Sequence, residues 1–182
     1  MGAGELIKEL ERMDICQAGR QYLSGSQKDI RTIIWGCREF PEFLIDHAGT
    51  VIPLMRTLLP EDERRELQRH GILLDYKGGF MPCDGHDLFV IGDSSPALCV
   101  QPWAVVKAYV LDGARANFQL GYHSYANIEC YGRSSVTVGG YGASGNVYLY
   151  GQSGCETDCE KVSIKRMKPS NAGEEPPVEA VV

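Results

Sequence analysis

Two short stretches carry residue types that could hold a metal. Cys83-Asp-Gly-His86 pairs a thiol with an imidazole at Cys-x-x-His spacing, and Cys155-Glu-Thr-Asp-Cys159 sets two thiols at Cys-x-x-x-Cys spacing. Brought together, Cys83, His86, Cys155 and Cys159 would complete a tetrahedral zinc site. Roughly 70 residues separate the two halves. The repeat described below puts them about three coils apart, so a shared ion requires a dimer or another fold. Separate thiols are the simpler expectation, and no cofactor is assigned.

Catalytic patterns are sparser. Gly142-Ala-Ser-Gly-Asn146 starts like a nucleophile elbow around Ser144, but asparagine stands where the second glycine belongs. His47, His70, His86 and His123 have no carboxylate at a telling spacing. A β-helix lyase or hydrolase needs clustered carboxylates, and the central repeats offer only Asp112 and Glu129. No catalytic residue is assigned, and the chain is read as not an enzyme.

The tyrosines are the remaining candidates. Seven of nine fall between residues 109 and 150, and Tyr131, Tyr141 and Tyr150 each precede a glycine. With Tyr122 they form the candidate binding set. A stacked aromatic row could hold sugar rings or bases. The same row would also stabilise a repeat edge by burial and offset stacking, and the repeat alone accounts for that second reading.

The elements that must position these residues divide the chain in two. Residues 1–80 punctuate as a helical module. Leu6, Leu10 and Met13 share a face of a first helix, Asp14 with Gln17 suits a cap for the next, and Asp29 opens a third. Pro41 and Pro53 are expected to limit the helices that contain them. In "LPEDERRELQRHG" acids open a helix, bases close it and Gly71 ends it. Its mixed charges read as a solvated face.

Residues 86–168 follow a ten-residue register. One column reads Leu88, Leu98, Ala108, Phe118, Ile128, Val138, and two places on another reads Val90, Val100, Val110, Leu120, Cys130, Gly140. The column before the first is mostly polar, which is the period-two alternation of strands with one buried face. A further column holds only small residues, Ser94, Ala104, Ala114, Ser124, Ser134 and Ser144, as a tight corner would require. Two ten-residue units then make one coil of a flattened β-solenoid. A β-sandwich of hairpins is the alternative, since its strands recur at similar spacing. The expected class is α+β, with the helical module capping one end of the solenoid and "CEKVSIKRMK" finishing the other. Residues 169–182 read as a disordered tail.

The Tyr-Gly-x-Ser turns resemble those of uncharacterised bacterial and phage-encoded short-repeat β-solenoids. "ICQAGRQYL" and "IIWGCREFPEFL" are similar to the Cys-bearing, aromatic-rich helices that lead such arrays. The resemblance implies a fold and brings no activity with it.

Composition narrows the partners. A net charge of −6 over 182 residues argues against a nucleic-acid binder, which shows a basic face. No apolar run is long enough for a bilayer, so no membrane association is expected. Seven cysteines without a secretion signal read as free thiols in a reducing, cytoplasmic compartment. The expected role is a non-enzymatic interaction or scaffold protein, acting through an unidentified protein partner or by self-association. An acidic inhibitor or immunity-type protein that masks a macromolecule, and a carbohydrate-binding or lyase-like β-helix enzyme, are the alternatives.

Overall fold

The computed structural model describes residues 2–85 and 87–168. Among them six helices precede eleven strands: α1 Ala3–Glu11, α2 Gln17–Gly25, α3 Ile30–Glu39, α4 Pro41–Asp46, α5 Ala48–Leu58 and α6 Glu61–Arg69. The strands are β1 Ile72–Leu74, β2 Phe80–Cys83, β3 Leu88–Ile91, β4 Ala97–Val100, β5 Val105–Val110 and β6 Arg115–Leu120. β7 Tyr125–Cys130, β8 Ser135–Gly140, β9 Ser144–Leu149, β10 Gly154–Thr157 and β11 Val162–Arg166 complete them. The tail at 169–182 and His86 lie outside the described residues.

The helices form where apolar residues recur at helical spacing. α1 buries Ala3, Leu6, Ile7 and Leu10. α3 starts at Asp29, whose Oδ1 accepts from the backbone N–H of Arg31 at 3.0 Å and of Thr32 at 3.2 Å. Asp14 does not cap α2. The Cys16 sulfur accepts from Gly19 N–H at 3.4 Å instead, and Asp14 pairs with Arg20 at 3.2 Å. Pro41 begins α4, whereas Pro53 sits inside α5 without ending it. That proline forgoes one backbone hydrogen bond, and burial of Val51, Ile52 and Met55 holds the helix across it. Leu67 is the one buried residue of α6, Glu63 accepts from the Ala3 N–H at 2.8 Å, and Arg65–Glu61 and Arg69–Glu66 pairs lie on the open face.

From Ile72 the chain winds as a solenoid of two parallel sheets. One runs β1-β3-β5-β7-β9-β11 and the other β10-β8-β6-β4-β2, called here the odd and even sheets. In the central coils Val105 pairs with Tyr125 and Arg115 with Ser135, a step of twenty residues per coil. Each ten-residue unit is therefore one strand and one corner. The first coil is shorter, with Ile72 opposite Phe89 and Phe80 opposite Ala97, so parallel pairing begins ahead of the regular register. Inward residues such as Val106, Ala108, Val110, Phe118 and Ile128 fill the interior and are almost wholly buried.

The coil around Ser144 has lost a residue: Tyr125 pairs with Ser144, nineteen positions on. The loss falls in the corner at 141–143, one step earlier than the ten-residue columns suggest. Ala143 consequently takes the buried corner place, 3% exposed, and Ser144 is the first residue of β9.

The helical module packs against the outer face of the odd sheet rather than serving as a simple end plug. Ile72, Leu74, Phe89, Ile91, Tyr109 and Leu111 belong to one apolar core with the helices, while Leu73, Leu88, Val90, Ala108 and Val110 belong to the solenoid interior. β1 and β3 are consequently buried on both faces. Arg56 of α5 clamps the first corner, its Nε and Nη2 lying 2.6 and 2.7 Å from the two carboxylate oxygens of Asp75. At the far end β11 adds to β9, and the Arg166 guanidinium donates to the carbonyls of Gly151 at 3.1 Å and Ser153 at 3.0 Å. Lys161, Lys165 and Arg166 charge this last edge, a common device against strand addition.

Candidate functional site

The coil length decides which candidate residues can meet. Ten residues are half a coil, so positions ten apart lie on opposite edges of the flattened solenoid and positions about twenty apart share one edge. The four candidate tyrosines therefore do not make a single row. Tyr131 and Tyr150 stack on one edge, ring centroids 4.4 Å apart and planes at 5°. Tyr122 and Tyr141 lie on the other, 6.5 Å apart at 14°.

The Tyr131 edge is built into the protein. Tyr131 packs against the helical core, and its hydroxyl donates to Glu129 Oε2 at 2.6 Å. Burial pushes its phenol well above the ordinary range, and the neighbouring Glu129 carboxylate adds to the effect. Glu129 also faces Lys107 at 3.8 Å, and the Lys107 ammonium sits 4.7 Å over the Tyr109 ring. Tyr109 in turn stacks on Phe89 at 4.9 Å. Each polar end in this cluster has a partner and each ring has a neighbour, which is what packing residues show.

The Tyr122 edge faces water. Here the sequence columns missed two residues, Trp103 and His123. Their rings stack at 4.4 Å and 28°. Tyr122 meets His123 edge-on at 4.0 Å and Trp103 at 6.5 Å. Four rings, Trp103, His123, Tyr122 and Tyr141, thus follow one another across three corners. Trp103 is 72% and Tyr141 86% exposed. Val105 and Tyr125, paired in register at the starts of β5 and β7, extend the row onto the sheet and are exposed as well. The Asn146 amide donates to the Tyr125 hydroxyl at 2.6 Å.

The corner backbone explains how these rings are held. Gln101, Gly121 and Tyr131 each start a turn closed by a hydrogen bond to the residue three places on. Such corners need a positive φ, supplied by glycine at Gly113, Gly132, Gly142 and Gly151. Trp103 and His123 adopt the same conformation, φ 65° and 58°, which costs a residue with a Cβ roughly 1–2 kcal/mol. The conformation turns the Trp103 N–H onto the Tyr122 carbonyl and the His123 N–H onto the Gly142 carbonyl, both at 3.1 Å. Glycine would make those bonds too. Large rings at these two strained, solvent-facing positions are therefore not required by the coil, and strain of this kind clusters at functional sites. The signal was present in the sequence as Pro102-Trp103 and Tyr122-His123, tips without the glycine that other corners carry.

The cysteines are placed apart. Cys83 in β2 and Cys155 in β10 occupy opposite ends of the even sheet, four strand spacings or about 19 Å. Cys159 follows β10 and its thiol contacts the Gly140 carbonyl at 3.1 Å. Burial pushes the Cys83 and Cys155 thiols up to about 11, and Cys37 and Cys130 up to about 12. These side chains are neutral at pH 7 and behave as small apolar groups. Among the described residues no three His, Cys, Asp or Glu side chains gather as a metal site. Ser144 lies on β9 with its N–H on the Ser124 carbonyl at 3.1 Å.

Fold and edge together define a β-solenoid with a helical module on its flank and an open aromatic row along one corner line. Comparison with protein-family models, with curated proteins and with solved structures gives no match.

Proposed function

We propose that this protein is a non-enzymatic interaction protein whose contact surface is the edge carrying Trp103, Tyr122, His123 and Tyr141. The observation that carries the reading is the pair of solvent-facing rings at positive φ, Trp103 and His123, where the coil itself needs only glycine. A rigid scaffold that exposes aromatic side chains supplies large contact area at small cost in side-chain entropy. The carboxylates that a lyase-like activity would call on are otherwise engaged or apart: Glu129 is held by Tyr131 and Lys107, and Asp112 sits in a corner near Arg56. Among the described residues no helix is long and apolar enough to cross a membrane.

Photo-crosslinking tests the reading. A photoreactive phenylalanine analogue at position 141, in cells that make the protein, is expected to give discrete adducts that disappear when Trp103 is also changed to Ser. Equal adducts from position 117, on the outer face of the even sheet, would place the contact elsewhere.

A further inference from the structure

The charge pattern along this edge defines the chemistry of its occupant; the inference rests on the contact-surface reading above. Residues 101–106, 121–127 and 141–146 contain no Asp, Glu, Lys or Arg. Lys107, in register with Asn127 and Asn146, is the first charge beside the row and is turned to the Tyr109 ring and Glu129. Carboxylates predominate in the corner regions on either side, with Asp84 and Asp87 before the row and Asp158 and Glu160 beside Lys161 after it. Nucleic acids gain affinity by having their phosphates neutralised by Lys and Arg, so an uncharged row between acids on a chain of net charge −6 disfavours a polyanion. A basic segment would need carboxylates among the rings, and here they stand only beyond the ends. What the row offers is ring faces beside neutral hydrogen-bonding groups, notably the Tyr125 hydroxyl and the Asn146 amide.

We propose that the edge binds a neutral oligosaccharide laid along the solenoid axis. Trp103, Tyr122 and Tyr141 pack against the C–H faces of the sugars, while Tyr125 and Asn146 hydrogen-bond to hydroxyls. The face of an aromatic ring is electron-rich, and pyranose C–H groups, polarised by the neighbouring oxygens, meet it without any formal charge. Successive coils are about 4.8 Å apart, so two steps from Trp103 to Tyr141 cover about 10 Å, the reach of about two or three linked pyranoses. The platform is preorganised. Trp103 leans on His123 at 4.4 Å, and the Tyr122 ring lies so close over Gly142 that a Cβ there would come within 2.6 Å of it. Trp103 and Tyr122 therefore have little side-chain freedom to lose on binding.

The test is calorimetric titration of the full chain with cellohexaose, chitohexaose, maltohexaose and mannohexaose, in the native form and as Trp103→Ser and Tyr141→Ser. Urea unfolding of all three proteins is measured alongside. At least one hexaose should bind saturably, Trp103→Ser should weaken it about tenfold or more, and a heparin hexasaccharide should not compete. A hexaose bound equally well by the variants places the sugar elsewhere and overturns the inference. No binding by any hexaose, with native-like unfolding of the variants, overturns the sugar and leaves the contact edge standing. An Arg- and Pro-rich peptide bound by the native chain but not by Trp103→Ser does the same. Variants that unfold at much lower urea than the native chain overturn the edge reading itself, because the rings are then structural.

Discussion

Replacing Trp103 by alanine and by glycine separates what its backbone does from what its ring does. At φ 65° a residue with a Cβ carries a left-handed penalty of roughly 1–2 kcal/mol. Glycine escapes it but loses more freedom on folding, about 0.5–1 kcal/mol. The difference leaves Trp103→Gly about 0.5–1 kcal/mol more stable than Trp103→Ala. Both variants lose the stack on His123, worth about 0.5–1.5 kcal/mol, and the 72% exposure of the indole puts the loss near the lower end. Trp103→Ala is therefore expected to fall about 0.5–1 kcal/mol below the native protein, and Trp103→Gly to lie within about 0.5 kcal/mol of it. Urea unfolding resolves this through the midpoint, with an unchanged slope showing that the unfolding reaction is the same. In heat, 1 kcal/mol shifts Tm by about 2–4 °C for a chain of this size. A glycine variant less stable than the alanine variant would refute the reasoning, because the left-handed backbone at this position would then carry no penalty for a Cβ. Both variants falling several kcal/mol below the native chain would make the indole part of the packing.

Gly145→Ala is expected to be strongly destabilising, by about 1–3 kcal/mol or more, because a Cβ would lie 2.2 Å from the Ala126 carbonyl oxygen; thermal unfolding reads it directly. Tyr131→Phe removes the 2.6 Å hydrogen bond to Glu129, a carboxylate only 18% exposed. The expected loss in urea is about 1–3 kcal/mol, against within about 0.5 kcal/mol for Tyr141→Phe on the open edge. Arg56→Ala breaks the clamp on Asp75, whose carboxyl is held below the ordinary aspartate range chiefly by the Arg56 hydrogen bonds. A depressed aspartate stabilises the fold above its unfolded pKa and loses that contribution as pH falls through its folded value. The native chain should accordingly exceed Arg56→Ala by up to about 1 kcal/mol at pH 7, since the pair is partly exposed. The two unfolding curves should converge in acid below the usual aspartate range. A gap that persists there would assign the effect to packing of the arginine stem.

Much of the fold is legible because the solenoid repeats side-chain size as well as polarity. Leu88, Leu98, Ala108, Phe118, Ile128 and Val138 all face inward because the register returns every ten residues. The same regularity hides the edges. A ten-residue column does not say that alternate members stand on opposite sides, so Tyr131 and Tyr141 look like neighbours although only Tyr131–Tyr150 and Tyr122–Tyr141 meet. The docking of the helices on the odd sheet is written in β3, where Leu88, Phe89, Val90 and Ile91 leave no polar face; continuous apolar strands are those buried on both sides. The α2 cap escaped because a cysteine sulfur is a weak acceptor and Asp14 is the better side chain two residues too early. Trp103 and His123 escaped because a column search rewards sameness, and they mark the corners that differ.

The central claim is that one aromatic edge is surface and the other is scaffold. Equilibrium urea unfolding of two paired replacements, Tyr122→Ser with Tyr141→Ser and Tyr131→Ser with Tyr150→Ser, tests it most directly. The first pair should stay within about 1 kcal/mol of the native chain, and the second should lose at least about 3 kcal/mol through lost burial, stacking and the Tyr131 hydrogen bond to Glu129. Equal losses from the two pairs, or a larger loss from the first, would contradict the account.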